Sequence, residues 1–84
     1  MSAGSATARV VVYSREGCHL CQVAEATVAE VCTAAGVDWE RVDVDTDADL
    51  RARFTEQVPV TFVDGRQHDF WRVDADRLRR ALQG

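Results

Sequence analysis

The stretch that decides the fold is "ARVVVYSREGCHLC", residues 8 to 21. Its first half, residues 8 to 14, is β-branched and apolar, which is typical of a central strand covered on both faces. The cysteines Cys18 and Cys21 follow, and from there the apolar spacing becomes helical. The stretch therefore predicts a strand, a short loop and a long helix that begins at about Cys18 or His19.

The spacing after the cysteines indicates an amphipathic helix. Leu20 begins its apolar stripe, which continues through Val28 and Val31, and Gly36 is suited to end the helix as a C-cap. We expect Leu20 to serve packing rather than chemistry. Cys32 borders the stripe and is expected to be a buried small hydrophobe.

Two shorter elements are predicted next. Residues 37 to 44 have the composition of a second strand, with apolar residues on both of its faces. Thr46 and Asp49 resemble a capping box, which predicts a second helix that ends at about Phe54.

The segment "VPVTFVDGRQHDFW" carries the clearest hairpin signal. Asp64 and Gly65 suit a two-residue type I′ turn between strands at residues 59 to 63 and 66 to 71. Asp74 is expected to cap a final helix.

The predicted order is β-α-β-α-β-β-α, which places the chain in the α/β class. The first strand, helix and second strand imply a right-handed parallel crossover, and the closing hairpin adds antiparallel strands to the same sheet. We therefore expect a four-stranded mixed sheet flanked by three helices. Sites in such folds lie at the carboxyl ends of parallel strands, and Cys18 lies just past the end of the first strand.

The bulk composition indicates one small domain. The chain has 84 residues, of which 46% are hydrophobic and 29% charged, as in ordinary globular proteins. No apolar stretch approaches the roughly 18 residues that can span a bilayer. We expect residues 1–7 to form a disordered tail without the pattern of a secretory signal, and residues 8–84 to form the domain.

Charge and cysteine usage narrow the partners and the compartment. A net charge of -4 disfavours nucleic acid and anionic membrane surfaces, since both require clustered positive charge. Three cysteines with a single close pair do not resemble the disulfide framework of a small secreted domain. We expect a cytoplasmic monomer.

The spacing of Cys18 and Cys21 suits redox chemistry. A thiol reacts as its thiolate, so the site must lower a pKa that is ordinarily near 8.5. Cys18 at a helix N-terminus faces unpaired N–H groups, and Arg15 adds a nearby positive charge, so we expect Cys18 to attack. Cys21, one turn further on, is placed to resolve a mixed disulfide. His19 is expected to be mostly neutral, and either polarises the site or is simply exposed.

Other interpretations of the pair remain open. The two cysteines could be inert and buried. Structural zinc usually needs four ligands, and Cys32 lies about 16 Å along the same helix from Cys21. His68, in the predicted hairpin, is expected to be exposed. We therefore predict no metal site within one chain, although an iron–sulfur cluster shared between two chains stays an alternative.

An acidic segment also resembles a calcium loop. Asp45, Asp47, Asp49 and Glu56 match four of its ligand positions, but Leu50 occupies the position where glycine is needed for the turn. The segment is better interpreted as the second helix with acidic residues near its N-terminus.

"VVYSREGCHLC", the lone proline in "QVPVTFVDG" and the order of elements together resemble a glutaredoxin-like protein of the thioredoxin superfamily, over nearly the whole chain after the tail. The resemblance implies a thiol-disulfide oxidoreductase with Cys18 as nucleophile and Cys21 as resolving cysteine. It places Arg15 where many glutaredoxins have a lysine that contacts a glutathione carboxylate. Pro59 matches the family's cis-proline, and Val58 would offer its backbone to an extended thiol substrate.

The resemblance also implies the reaction partners. The substrate would be a disulfide-containing protein or a small thiol compound, no cofactor would be tightly bound, and glutathione or a reductase protein would supply electrons. His19 and Leu20 stand between the cysteines, and "HDFWRVDAD" replaces the family's Gly-Gly-x-Asp segment. Phe70 and Trp71 in that segment could serve the core or form a rim for a protein partner. An iron–sulfur carrier and a non-catalytic binding module are the alternatives to an enzyme.

Overall fold

The computed structural model describes residues 8–54 and 57–83, so the predicted N-terminal tail, residues 1–7, lies outside the described residues. The predicted order of strands and helices is confirmed, with one additional 3-10 turn at Val44–Thr46. The elements are β1 (Val10–Ser14), α1 (His19–Ala35), β2 (Trp39–Asp43), α2 (Ala48–Phe54), β3 (Val60–Val63), β4 (Arg66–Phe70) and α3 (Ala75–Gln83).

The strands form a four-stranded sheet in the order β2-β1-β3-β4. β1 pairs in parallel with β2 and antiparallel with β3, and β3 pairs antiparallel with β4. The predicted α/β class with a mixed sheet is therefore confirmed. Because β1, β2 and β4 run in the same direction, the segments that follow these three strands all emerge at one edge of the sheet.

Both faces of β1 are covered, which explains its continuous apolar sequence. Val10 and Val12 face one side and join a core cluster with residues of α1 and α3. Tyr13 faces the other side, where its ring stacks on Phe54 of α2 at a centroid distance of 5.0 Å. The alternation follows from the period of two along a strand.

Three local signals are confirmed. Gly36 has φ 69° beyond the end of α1, and its N–H donates to the carbonyl of Thr33. Asp64 and Gly65 have φ of 53° and 82°, as a type I′ turn requires. The carboxylate of Asp74 accepts two backbone N–H bonds from the first turn of α3.

The start of α2 differs from the prediction. Asp47, not Thr46, accepts the N–H bonds of Asp49 and Leu50 at 2.8 and 3.3 Å. Thr46 belongs to the preceding 3-10 turn, where its hydroxyl donates to the carbonyl of Asp43 at 2.7 Å. The capping-box prediction was wrong because the hydroxyl of Thr46 bonds to the end of β2 instead of to the first turn of α2.

The packing predicted for Leu20 was also wrong. Its side chain is 45% exposed, and the buried stripe of α1 instead begins at Cys21 and continues through Ala24 and Val28. Val23 is 51% exposed. The helix therefore presents two large aliphatic side chains to solvent close to the cysteine pair.

His68 was expected to be exposed, but its side chain is only 11% exposed. Burial lowers the pKa of its imidazole, and Arg77 adds to this effect, whereas Asp69 and Asp74 oppose it. Nε2 of His68 lies 3.8 Å from the nearer carboxylate oxygen of Asp69. The folded protein thus favours the neutral imidazole.

We predict that stability falls as pH is lowered from about 7.5 to 5.5, because the unfolded chain protonates His68 near pH 6.5 while the folded chain resists it. His68→Gln should remove this part of the pH dependence, measured as the urea midpoint across a pH series. Carboxyl groups with lowered pKa, such as those of Asp64 and Asp74, lose their contribution only at more acidic pH. An unchanged pH slope in the variant would contradict this assignment.

Among the described residues, no helix is both long and apolar enough to cross a membrane.

Candidate functional site

Cys18 occupies the N-cap of α1, as the sequence predicted. Its backbone is extended, with φ -98° and ψ 111°, and its sulfur accepts a hydrogen bond from the N–H of Cys21 at 3.1 Å. Gly17 precedes it with φ 74°, a left-handed conformation that favours glycine. This turn brings the chain from β1 into α1 and aims the Cys18 sulfur at the open end of the helix.

Cys18 and Cys21 form a disulfide, with Cα atoms 5.2 Å apart. The two sulfurs differ in access, because the Cys21 residue is 0% exposed and Cys18 is only partly buried. A thiol or disulfide approaching from solvent therefore meets Cys18 first.

The electrostatic setting favours a thiolate at Cys18. The first turn of α1 contains no acidic residue, so its free N–H groups and positive dipole end are not neutralised from within the helix. When the pair is reduced, the N–H of Cys21 is in place to donate to a Cys18 thiolate. His19 begins the helix and is exposed.

Arg15 lies three residues before Cys18 but is held by an acidic partner. Its Nε and Nη2 donate to the two carboxylate oxygens of Asp45 at 3.0 and 3.1 Å. This bond raises the pKa of Arg15 and lowers the pKa of Asp45. The positive charge expected beside the cysteine is therefore largely neutralised.

Sequence reasoning missed Asp45 as the partner of Arg15. The signal lay in the topology: β1 and β2 are parallel, with Ser14 opposite Asp43, so the residues just after both strands lie side by side. Neighbouring ends of parallel strands are where such pairs should be sought.

Pro59 reaches the same edge of the sheet from β3. Val60 pairs with Tyr13, so Pro59, directly before it, lies beside the end of β1. The Val58–Pro59 bond is cis, as the resemblance implied, and Pro59 is buried. Its carbonyl accepts a hydrogen bond from the N–H of Trp71 at 2.7 Å, which joins the segment after β4 to this edge.

An apolar groove lies against the first turns of α1 and is lined by His19, the residue directly after Cys18. Leu20 and Val23 of α1 form one side of the groove, and Trp71, which is 51% exposed, lies on the other. The groove encloses about 260 Å³, and His19, Thr27 and Arg72 also line it. Trp71 is thus at the surface, as a partner-contacting rim would require. The side chain of Phe70, the other aromatic residue of the predicted rim, lies outside the described part of the structure.

Local sequence patterns do not predict this groove. Val23 did not enter the predicted stripe, and Leu20 was assigned to the core. Trp71 adopts φ 65°, a left-handed conformation that its residue type does not suggest. That backbone turn exposes its side chain where the chain leaves β4.

The acidic residues that resemble a calcium loop, and the third cysteine, Cys32, have structural roles. Asp45 binds Arg15, and Asp47 caps α2. Glu56 lies outside the described residues. Cys32 is buried in the core, where desolvation raises the pKa of its thiol. Within the described ranges, no cluster of three or more histidine, cysteine or acidic side chains could hold a metal ion.

Comparisons with known proteins show which family the chain resembles. A family model described as Glutaredoxin-like domain (DUF836) matches residues 9–83. A protein of Mycobacterium tuberculosis, described as uncharacterized, is 38% identical over 76 residues, which cover 84% of this chain and 78% of the relative. The X-ray structure of a protein from X. campestris is 33% identical with a TM-score of 0.72, covering 88% of this chain and 95% of the other.

The fold is also shared more widely. The crystal structure of a glutaredoxin from Archaeoglobus fulgidus has a TM-score of 0.59 at 20% identity, covering 93% of this chain and 89% of that chain. At this level of identity the likeness concerns the fold alone. It establishes a thioredoxin-like architecture around the cysteine pair.

Proposed function

The chain belongs to the glutaredoxin-like domain family, and from this premise we propose that it is a thiol-disulfide oxidoreductase with Cys18 as nucleophile and Cys21 as resolving cysteine. A redox role follows from a thioredoxin-like fold that carries a Cys-x-x-Cys pair. The observation that carries the finer proposal is the asymmetry of the pair. Cys18 caps the helix within reach of solvent and accepts the N–H of Cys21, which is itself buried.

The reaction proceeds in two exchanges. The Cys18 thiolate attacks one sulfur of a substrate disulfide, that S–S bond breaks, and the other sulfur leaves as a thiolate that takes up a proton. Cys21 then loses its proton and attacks the Cys18 sulfur, which forms the Cys18–Cys21 disulfide and releases the second substrate thiol. Two electrons pass from the enzyme dithiol to the substrate, and an external thiol donor returns them.

The other predicted site residues serve binding in this proposal. Pro59 and the backbone of Val58 border the path of an extended substrate along the sheet edge, and His19 lines the groove. The substrate is a disulfide-containing protein or a small thiol compound, and glutathione or a reductase protein supplies electrons. We place this activity in the cytoplasm, where thiols are kept reduced, in a monomer without a tightly bound cofactor.

Trapping of the mixed disulfide tests the proposal. In Cys21→Ser the resolving thiol is absent, so partners should remain linked to Cys18 when the variant is added to a cell extract. The adducts are released by dithiothreitol and identified by mass spectrometry. A variant with serine at both Cys18 and Cys21 is the control, and Cys32 stays in the core of both proteins. Adducts that are equally abundant in the control would refute the role of Cys18.

A further inference from the structure

The surface around Cys18 has two chemically different sides. The segments that follow β1, β2 and β4 all lie at this edge of the sheet, and β1 lies between the other two strands. Asp45 follows β2 on one side of Cys18, and Trp71 follows β4 on the other. A molecule joined to the Cys18 sulfur must therefore meet an acidic side and an apolar side.

The arginine side chains on the acidic side are bound in ion pairs with carboxylates. Arg15 is bound by both carboxylate oxygens of Asp45. Arg41 lies 3.1 Å from Glu25 and 3.6 Å from Glu16. Asp43, the last residue of β2, accepts the N–H of Asp45, and Asp47 lies two residues further along the chain. This side attracts positive charge and repels carboxylates.

The apolar side is suited to a hydrophobic side chain. Leu20, Val23 and Trp71 leave large apolar groups in water around the groove, which His19, the neighbour of Cys18 in the chain, also lines. Covering these groups would remove apolar area from water, which is favourable. Glutathione has no large apolar side chain, and it carries two carboxylates against one ammonium group.

We propose that Cys18 exchanges with protein thiols and disulfides rather than with glutathione, through an extended segment that places an aliphatic side chain in the groove and a basic side chain against the acidic side, where carboxylates outnumber the paired arginines. The inference rests on the proposed function and names its partner class. The redox step is the exchange described above: the Cys18 sulfur bonds to a cysteine sulfur of the segment, and the former partner of that sulfur leaves as a thiolate. Two electrons move in each complete cycle, supplied by a protein dithiol.

Single-turnover kinetics with matched disulfides tests the proposal. The enzyme is Cys21→Ser in its reduced form, and each probe carries a 2-thiopyridyl group on its cysteine, so that attack releases pyridine-2-thione. The probes are glutathione and three capped peptides, acetyl-Leu-Cys-Arg-amide, acetyl-Leu-Cys-Glu-amide and acetyl-Gly-Cys-Arg-amide. Each rate constant is divided by that of the same probe with 2-mercaptoethanol, which removes differences in intrinsic reactivity.

The Leu-Cys-Arg peptide should react at least about tenfold faster than the glutathione probe. Asp45→Asn should release Arg15 and raise the rate with glutathione by about threefold. Asp38→Asn is the matched control, because it removes one exposed carboxylate beyond the far end of α1.

Leu20→Ser should lower the rates of both leucine peptides and leave the rate of the glycine peptide unchanged. Gln22→Ser changes an exposed position of α1 outside the groove and should not change the rate of any of these peptides.

Two outcomes separate the inference from the proposed function. Equal normalised rates for all probes would overturn the inference alone, because Cys18 would still perform the exchange. Failure of every probe to react would overturn the proposed function as well. Arg72 also lines the groove, so a faster reaction with glutathione that Arg72→Gln abolishes would show that a carboxylate binds there, and this result would overturn the preference for protein segments.

Discussion

Replacing Cys18 with serine is expected to lower kcat/KM for disulfide reduction by at least about a thousandfold. A serine hydroxyl stays protonated at neutral pH and cannot form the mixed disulfide. The effect should be visible in dithiothreitol-driven reduction of insulin, followed by the precipitation of its chains. Cys32→Ala is the control, since Cys32 is buried in the core and far from the exchange. That variant should keep its activity.

The same variants report on the activation of the thiol. The rate at which iodoacetamide alkylates the reduced wild-type protein should depend on pH as expected for one reactive thiol. The pKa of that thiol should lie below the ordinary value of about 8.5. Cys18→Ser should lose this fast phase, whereas Cys32→Ala should keep it. A folded Cys18→Ser protein that still reduces insulin at the wild-type rate would exclude Cys18 as the nucleophile.

The strand-loop-helix around Cys18 could be predicted because its signals are local. β-branched residues form β1, Gly17 allows the turn, and the change from strand to helical periodicity places Cys18 at the N-cap. The type I′ turn at Asp64 and Gly65 was equally accessible, since two adjacent residues determine it. Such features need no knowledge of distant contacts.

The features that could not be predicted depend on contacts between distant residues, or on a choice between two local patterns that are almost equally good. The stripe of α1 could begin at Leu20 or at Cys21, and only packing on the sheet decides that the cysteine is buried. Arg15 and Asp45 are far apart in sequence and meet because β1 and β2 are parallel. These contacts determine which charged and apolar groups surround Cys18, and local sequence patterns do not report them.

Leu78→Ala is expected to lower the free energy of unfolding by about 3 kcal/mol, within the usual range for buried leucines. Leu78 on α3 is 0% exposed and belongs to the core cluster that joins β1 with α1 and α3. Truncation removes apolar contacts and leaves a cavity that the sheet cannot fill, because β1 is held by a strand on each side. Small domains are stable by only about 5–15 kcal/mol, so the loss is a large fraction of the total.

Leu20→Ala provides the same chemical change at a helical position that is 45% exposed. It should cost less than about 1 kcal/mol, because alanine is favourable in helices and little buried area is lost. Urea unfolding followed by circular dichroism compares the two, with a lower midpoint and an unchanged slope expected for Leu78→Ala. Equal losses would mean that Leu20 is buried in solution, and the groove proposed beside Cys18 would then be closed. A large difference would establish that α1 keeps Leu20 at the surface without needing it for stability, which leaves this side chain available to bind a partner.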